Sequence, residues 1–265
     1  NLIGSRSPAG QNLSFSIRGG RNDQVLILID GVRVSDPSRI SNDFDFNLLN
    51  LADIVSIEIV KGATSTLYGS SASTGVVNIT TKKSSKKFAV NLGSTLGTQQ
   101  AANTALNKIS YLSNFATFSG AKDSFQYKLS LGSQNIYGLS SVAVGTEIDP
   151  FIQTNFGFQL GRKGKHLDWN LTFNKDHSDT SFDNVFGTVS DNNSTLVTDL
   201  ERFSLNTTYT YNKGSLHAVL GIQNTDRVFA GGYNQTLKGS NLALDVFNKY
   251  IIKERFYSVL GYAYQ

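Results

Sequence analysis

The sequence predicts a small mixed α/β domain followed by antiparallel strands of the transmembrane β-barrel type, about nine of them. Three observations lead there. Three short apolar, β-branched runs (25–29, 54–60 and 76–79), each next to a Gly turn, lie before Lys83. After a basic, Ser-rich seam at Lys82–Lys87 the hydrophobic pattern changes to alternation, the two-residue period of a strand with two unlike faces. The links between the alternating segments are then short and long by turns, as barrels of this type require.

Composition narrows the classes. Charged residues make up 17% of the chain, below the usual quarter or so. With 24 Gly, 17 Phe, 11 Tyr and only 3 Pro, it leans to all-β structure. The net charge of +4 is spread along the chain, which argues against nucleic acid as a partner. With no cysteine there are no disulfides, thiolate metal sites or cysteine nucleophiles. No apolar run reaches the length of a membrane helix, yet a mean hydropathy of -0.19 leaves a barrel open, because a barrel strand hides its apolar residues at every second position. There is no initiator Met and no signal-peptide pattern, and the chain stops inside an aromatic run. Both ends are therefore expected to be cuts in a longer protein.

The first part reads in order as follows. Residues 1–16 are polar and predict a loop. The 25–29 run ends at Asp30-Gly31, a turn signal. Residues 36–47 predict a second polar loop, 48–53 one helical turn, and 63–68 a turn or short helix. The 54–60 run ends at Lys61-Gly62, and Gly75 opens the third run.

Beyond the seam, Phe125, Tyr127, Leu129 and Leu131 share one face while Gln126, Lys128 and Ser130 share the other. Leu167, Trp169, Leu171 and Phe173 likewise oppose Asp168, Asn170, Thr172 and Asn174. Segments near 88–96, 109–118, 151–161, 203–211, 216–223, 242–247 and 256–264 complete the set. Long links are expected at 97–107, 133–150, 175–198 and 226–240. A soluble sandwich or jelly roll also alternates, with its apolar face on a partner sheet. Against that reading, the pattern restarts after every short turn and the apolar face is rich in Phe and Tyr. Plugged barrels have about 22 strands, so a barrel reading makes this chain its first part only.

The opening stretch resembles the plug domain of TonB-dependent outer-membrane transporters. The family's S-I-R-G segment corresponds to Ser16–Gly19, its V-L-x-L-I-D-G-V-R strand and turn to Val25–Arg33, its I-E-x-V-K-G-P-x-S-x-L-Y-G to Ile57–Gly69, and its A-x-G-G-V-I-N-I-x-T-K to Ala72–Lys82. Ala63 stands where Pro is usual, and Thr74 where the first Gly of a pair is usual. The spacing is most similar to the cobalamin-receptor branch. The resemblance implies a plug over 1–83, lacking its N-terminus, and the first part of a transmembrane barrel over 84–265. It implies capture of a large scarce ligand, cobalamin or a ferric siderophore, at a bacterial outer membrane. A TonB-type energy-coupling protein in the periplasm would then pull on a segment upstream of Asn1. Outer-membrane lipid is the other partner, and no cofactor, metal or enzymatic activity is expected. The alternatives are a soluble all-β carbohydrate-binding module and an outer-membrane receptor that does not transport.

Site residues follow from that resemblance. Arg18 and Lys61 are expected to latch plug to wall by pairing with barrel carboxylates beyond Gln265. Gly19, Asp30, Gly31, Glu58, Gly62, Ser65, Tyr68, Gly69, Gly75 and Asn78 form the plug's structural motif. Ligand contact is expected at Gly10, Gln11, Asn12, Ser38, Arg39, Ser41 and Asn42 and at the loop aromatics Tyr137 and Tyr233. A catalytic Asp30 or Glu58 has no partner nearby in sequence. The 62–69 Gly pair lacks the Lys-Ser/Thr of a phosphate loop. His166, His177 and His217 lack metal-ligand spacing, and Asp191-Asn192-Asn193 lacks the Gly and Glu of a calcium loop.

Overall fold

The computed structural model describes residues 2–4, 9–11, 13, 15–62, 72–84, 86–98, 109–137, 139–140, 148–184, 190–232, 234–253 and 256–265. Strands β1 (Leu2–Gly4) and β2 (Phe15–Ile17) pair antiparallel, with Leu2 opposite Ile17. Composition predicts only loop there. A three-residue strand that finds its partner across an intervening segment leaves no local signal.

A four-stranded mixed sheet follows, made of β3 (Val25–Ile29), β4 (Val32–Val34), β5 (Ile54–Lys61) and β6 (Gly75–Thr81) in the order β4-β3-β6-β5. Strands β3 and β6 run parallel. Each is covered on both faces, which is why each is a continuous apolar run rather than an alternating one. Alternate residues feed two clusters. Val25, Ile27, Val77 and Ile79 pack with Ile17, Val34, Phe44 and Leu48, whereas Leu26, Leu28 and Val76 pack with Ala72. Asp30 (φ 50°) and Gly31 (φ 81°) join β3 to β4 as the left-handed pair of a two-residue hairpin. The helical turn predicted over 48–53 is instead two 3₁₀ turns, Phe46–Leu48 and Leu51–Asp53. The side chains of Asp45 and Asn50 each accept from a backbone N–H two residues on, so each starts its own turn.

The remaining strands form one open sheet: β7 (Ala89–Gly97), β8 (Tyr111–Lys122), β9 (Phe125–Ile136), β10 (Phe151–Arg162), β11 (Leu167–Asn184), β12 (Ser190–Tyr211), β13 (Gly214–Ala230), β14 (Gln235–Lys253) and β15 (Phe256–Tyr264). Each pairs antiparallel with its sequence neighbours, and β7 and β15 are the edges. Thus the barrel is not closed within this chain.

Register shows how the two faces differ. Across the sheet Val90, Phe118, Leu129, Phe158, Phe173, Phe203, Ile222 and Leu242 are successive cross-strand partners. One residue along each strand, the partners are Asn91, Thr117, Ser130, Gly157, Asn174, Arg202, Gln223 and Asn241. The polar row turns toward the small sheet, and Thr117, Ser130 and Gln223 are buried there. The apolar face turns outward, leaving Tyr127, Leu131, Phe158 and Ile222 about two-fifths exposed. A soluble sandwich does the reverse, burying its apolar face. This inverted arrangement is the one a lipid-facing wall around a polar interior needs. Among the described residues no helix is long and apolar enough to cross a membrane, which says nothing about strands.

A further sequence expectation is corrected. The links predicted over 175–198 and 226–240 are largely strand. Strands β11 to β14 have 18, 22, 17 and 19 residues, well past the 9–11 or so that span a bilayer. Beyond Phe173 and Phe203 the outward residues become charged and pair across strands. Lys175 bonds Glu201 at 2.8 Å, His177 bonds Asp199 at 2.9 Å and Lys238 bonds Asp226 at 3.0 Å. These pairs continue the ladder where the apolar band stops.

Candidate functional site: the seam between small sheet and wall

The small sheet lies against the polar face of the wall, and its contacts come mainly from residues 30–53. The Asn206 side chain donates to the Asp30 carbonyl at 3.0 Å. Gln153 donates to the Asn47 carbonyl at 2.5 Å and Asn155 to the Leu48 carbonyl at 3.3 Å. On β13 and β14, Gln223 donates to the Ser35 carbonyl, and Asn241 donates to the Ser35 hydroxyl at 3.0 Å. Leu200 is one of a few apolar residues on this face, with Ile136, Phe151 and Ala243. It is 1% exposed and belongs to the core cluster of Ile17, Phe44 and Leu48.

Charge is divided unequally across the seam. The wall supplies cations and the small domain supplies carboxylates. Arg227 Nη2 lies 2.6 Å from Asp36 Oδ2 and 3.1 Å from Asp45 Oδ2. Lys128 Nζ lies 3.4 Å from Asp53 Oδ2. Arg202 pairs with Asp176 on the neighbouring strand at 2.9 Å, and its guanidinium stands over the Phe44 ring at 5.5 Å. The ions of these pairs are buried except Arg202, which is partly buried, so each needs its partner. Sequence reasoning missed them because Arg227 and Asp36 are far apart in the chain. The available signal was three cations at inward positions of alternating strands and four aspartates clustered over 36–53.

The residues expected to contact ligand fall into three groups. Ser38 is buried, and both its backbone N–H and its hydroxyl donate to Asp36 Oδ1, at 3.1 and 2.5 Å. Arg39 pairs with Asp43 at 3.1 Å, and the Ser41 hydroxyl donates to Asp43. What the loop presents outward is Ile40, fully exposed, Ser41, exposed although its hydroxyl reaches Asp43, and Asn42, exposed and left-handed (φ 53°). Gly10 (φ 78°) nests on the wall, where a Cβ would overlap Phe151 and Thr180. The Gln11 carbonyl accepts from the Asn47 side chain at 2.8 Å. Tyr137 is 41% exposed at the end of β9. Asn12 and Tyr233 lie outside the described residues.

The motif residues play local parts. Arg18 (φ 54°) and Gly19 (φ 79°) make a tight turn after β2. Asp30 accepts from the Thr81 N–H at 2.9 Å and from its hydroxyl at 2.6 Å, tying the hairpin to the end of β6. Glu58 and Asn78 face each other across β5 and β6, with the amide donating at 3.3 Å. A Cβ on Gly75 would stand 2.6 Å from the Val60 carbonyl oxygen and 2.8 Å from Ile17 Cδ1, so only Gly fits. Gly62 (φ 123°) donates its N–H to the Thr74 carbonyl at 2.9 Å. Thr74, in place of the usual Gly, bonds the Gln24 carbonyl through both its N–H and its hydroxyl. Arg18 and Lys61 are exposed, and among the described residues neither forms an ion pair. Ser65, Tyr68 and Gly69 lie outside the described residues. His166 and His217 sit on separate strand ends, remote from the His177–Asp199 pair.

A small mixed domain seated on the polar face of an inside-out antiparallel sheet is the construction of a plugged barrel. Residues 1–76 match the family model described as the TonB-dependent Receptor Plug Domain. The chain is 41% identical over 88 residues to the vitamin B12 transporter BtuB of Vibrio cholerae, a match covering 33% of this chain and 14% of that protein. Over 98% of its length it superposes on 43% of the siderophore receptor PirA from Acinetobacter baumannii, with a TM-score of 0.73 and 19% identity. It also superposes on 51% of the ferric yersiniabactin uptake receptor FyuA from Yersinia pestis, with a TM-score of 0.61 and 14% identity. The first 76 residues thus match a TonB-dependent receptor plug, the strands after them share the fold of receptor-barrel strands, and the chain spans less than two thirds of the relatives it matches.

Proposed function

We propose that residues 1–83 are the plug and residues 84–265 the first part of the wall of a bacterial outer-membrane transporter with roughly 22 strands. It binds a large scarce nutrient and imports it into the periplasm with energy from a TonB-type coupling protein. Cobalamin is favoured over a ferric siderophore. The observation that carries the ligand reading is the 41% identity to a vitamin B12 transporter over the plug. The observation that carries membrane location is the unbroken apolar row on the outer face of the sheet, with a polar row behind it. The ligand surface is the exposed tip of loop 35–45 with Ile40, Ser41 and Asn42, and Ser38 and Arg39 act as its internal braces. Arg18 and Lys61 are kept as further latches to wall strands beyond Gln265.

The test is uptake of labelled cyanocobalamin and of ferric siderophores by a strain lacking the gene, with and without the full-length gene restored. Restored cyanocobalamin uptake that disappears when the coupling protein is removed supports the reading. Restored ligand binding without accumulation would make the protein a receptor that does not transport. Detergent-free extraction as a monomer counts against the barrel altogether.

A further inference from the structure

We propose that Arg227 is a positioning residue for ligand capture: it holds loop 35–45 in its receptive shape without touching the ligand. This rests on the reading of that loop as the ligand-facing surface. Arg227 lies on the inward face of β13, well past Ile222 toward the end that carries the long connections. The outward residues beside it, Asp226 and its partners Asp199 and Lys238, are polar. The loop it holds therefore stands at the outer end of the plug, beyond the apolar band.

Its bonds reach both ends of the loop. Nε donates to Asp36 Oδ2 and to the Ser38 hydroxyl, each at 3.1 Å, and Nη2 donates to Asp36 at 2.6 Å and to Asp45 at 3.1 Å. Asp36 and Ser38 lead into the loop and Asp45 leads out, so one guanidinium staples its base shut. The rest of the loop is closed on itself. The Asp36 N–H donates to the Asn42 carbonyl at 3.3 Å, and the Asn42 N–H to the Arg39 carbonyl at 3.0 Å. The wall is shaped to receive it, since a Cβ on Gly239 would stand 2.5 Å from the Ser38 nitrogen and 2.6 Å from the Pro37 carbonyl carbon.

Without Arg227 two buried carboxylates would face each other with no cation between them, and the base of the loop would open. The exposed tip would keep its residues and lose its fixed shape. A contact surface that must be ordered on binding binds more weakly than one held ready. The expected signature is thus a weaker apparent affinity with an unchanged maximal rate. Lysine keeps the charge but lacks the planar fork whose Nε reaches Asp36 and Ser38 while Nη2 bridges the two carboxylates, so Arg227→Lys restores only part of the effect.

The experiment uses the full-length receptor, with folding checked by heat-modifiable migration of the barrel. Arg227→Gln is expected to speed ligand-free amide exchange over 36–45 by on the order of tenfold, with Arg227→Lys between it and wild type. In cells, Arg227→Gln should raise the half-saturating concentration for cyanocobalamin uptake by on the order of tenfold and leave the maximal rate unchanged. Should Arg227→Gln fail to fold, Asp45→Asn removes one arm only and should shift both readouts the same way by less. Exchange over 36–45 equal to wild type overturns the proposal, and so does a lower maximal rate at unchanged half-saturation. If wild type takes up no cyanocobalamin, the uptake reading is what fails, and the clamp stands or falls on the exchange.

Discussion

Leu200, on the inward face of β12, is packed in one buried cluster with Phe44 of the small domain, and the two are 1% and 2% exposed. Arg202, two residues along the same face, covers the Phe44 ring. A wall residue thus completes the plug's core. Leu200→Ala is expected to cost about 2–5 kcal/mol, the usual range for such a core truncation. Leu200→Met should cost under about 1.5 kcal/mol. Denaturant midpoints of plug unfolding in the full-length receptor check this, and equal midpoints for Leu200→Ala and wild type would contradict it.

The Lys128–Asp53 pair is buried, with side chains 7% and 11% exposed. Removing either partner leaves a lone buried charge, so Lys128→Met or Asp53→Leu alone should cost about 3–5 kcal/mol. The double variant should recover most of that loss. A double-mutant cycle on plug stability measures the coupling, and strictly additive losses would show that the pair does not act as a unit.

Phe203 and Glu201 point to the same outer side of β12, two residues apart. Phe203 is in the apolar row, and Glu201 pairs with Lys175 beyond it. Phe203→Arg is expected to cost up to about 2–4 kcal/mol when the receptor folds into lipid, falling with distance from the bilayer midplane. Glu201→Ala should cost under about 1 kcal/mol, because it breaks only an exposed pair. Refolding into vesicles compares the two, and equal costs would move the edge of the apolar band.

Gly75 leaves no room for a methyl group between the Val60 carbonyl and Ile17. Gly75→Ala should therefore push β5 away from β6 and destabilise the plug by about 1–3 kcal/mol. Gly31→Ala meets no neighbouring atom, so its cost is the left-handed backbone alone. Amide exchange over 54–81 reads the difference. Slower or unchanged exchange in Gly75→Ala would show that the strands can part without loss.

The two-part layout was legible from local chemistry. Continuous β-branched runs mark buried strands, Asp30-Gly31 marks a turn, and strict alternation marks strands with two unlike faces. These signals are local because backbone geometry and side-chain period are local. Alternation could not say which face is buried. Only packing decided that, by setting the plug against Ser130, Gln223 and Arg227 and leaving Phe158 and Ile222 outside. The extension of β11 to β14 past the apolar band was hidden for a related reason, because polar cross-strand pairs such as Lys175–Glu201 read as loop until their register is known. The candidate site was the least legible part. Ser38 and Arg39 are polar residues a ligand loop should carry, yet the fold turns them to Asp36 and Asp43, while Ser41 bonds Asp43 and stays exposed. The loop is held by Arg227, a residue that meets Asp36 only after the sheet has formed. A buried charge must find an opposite charge wherever the chain brings one, and sequence distance carries no information about where that will be.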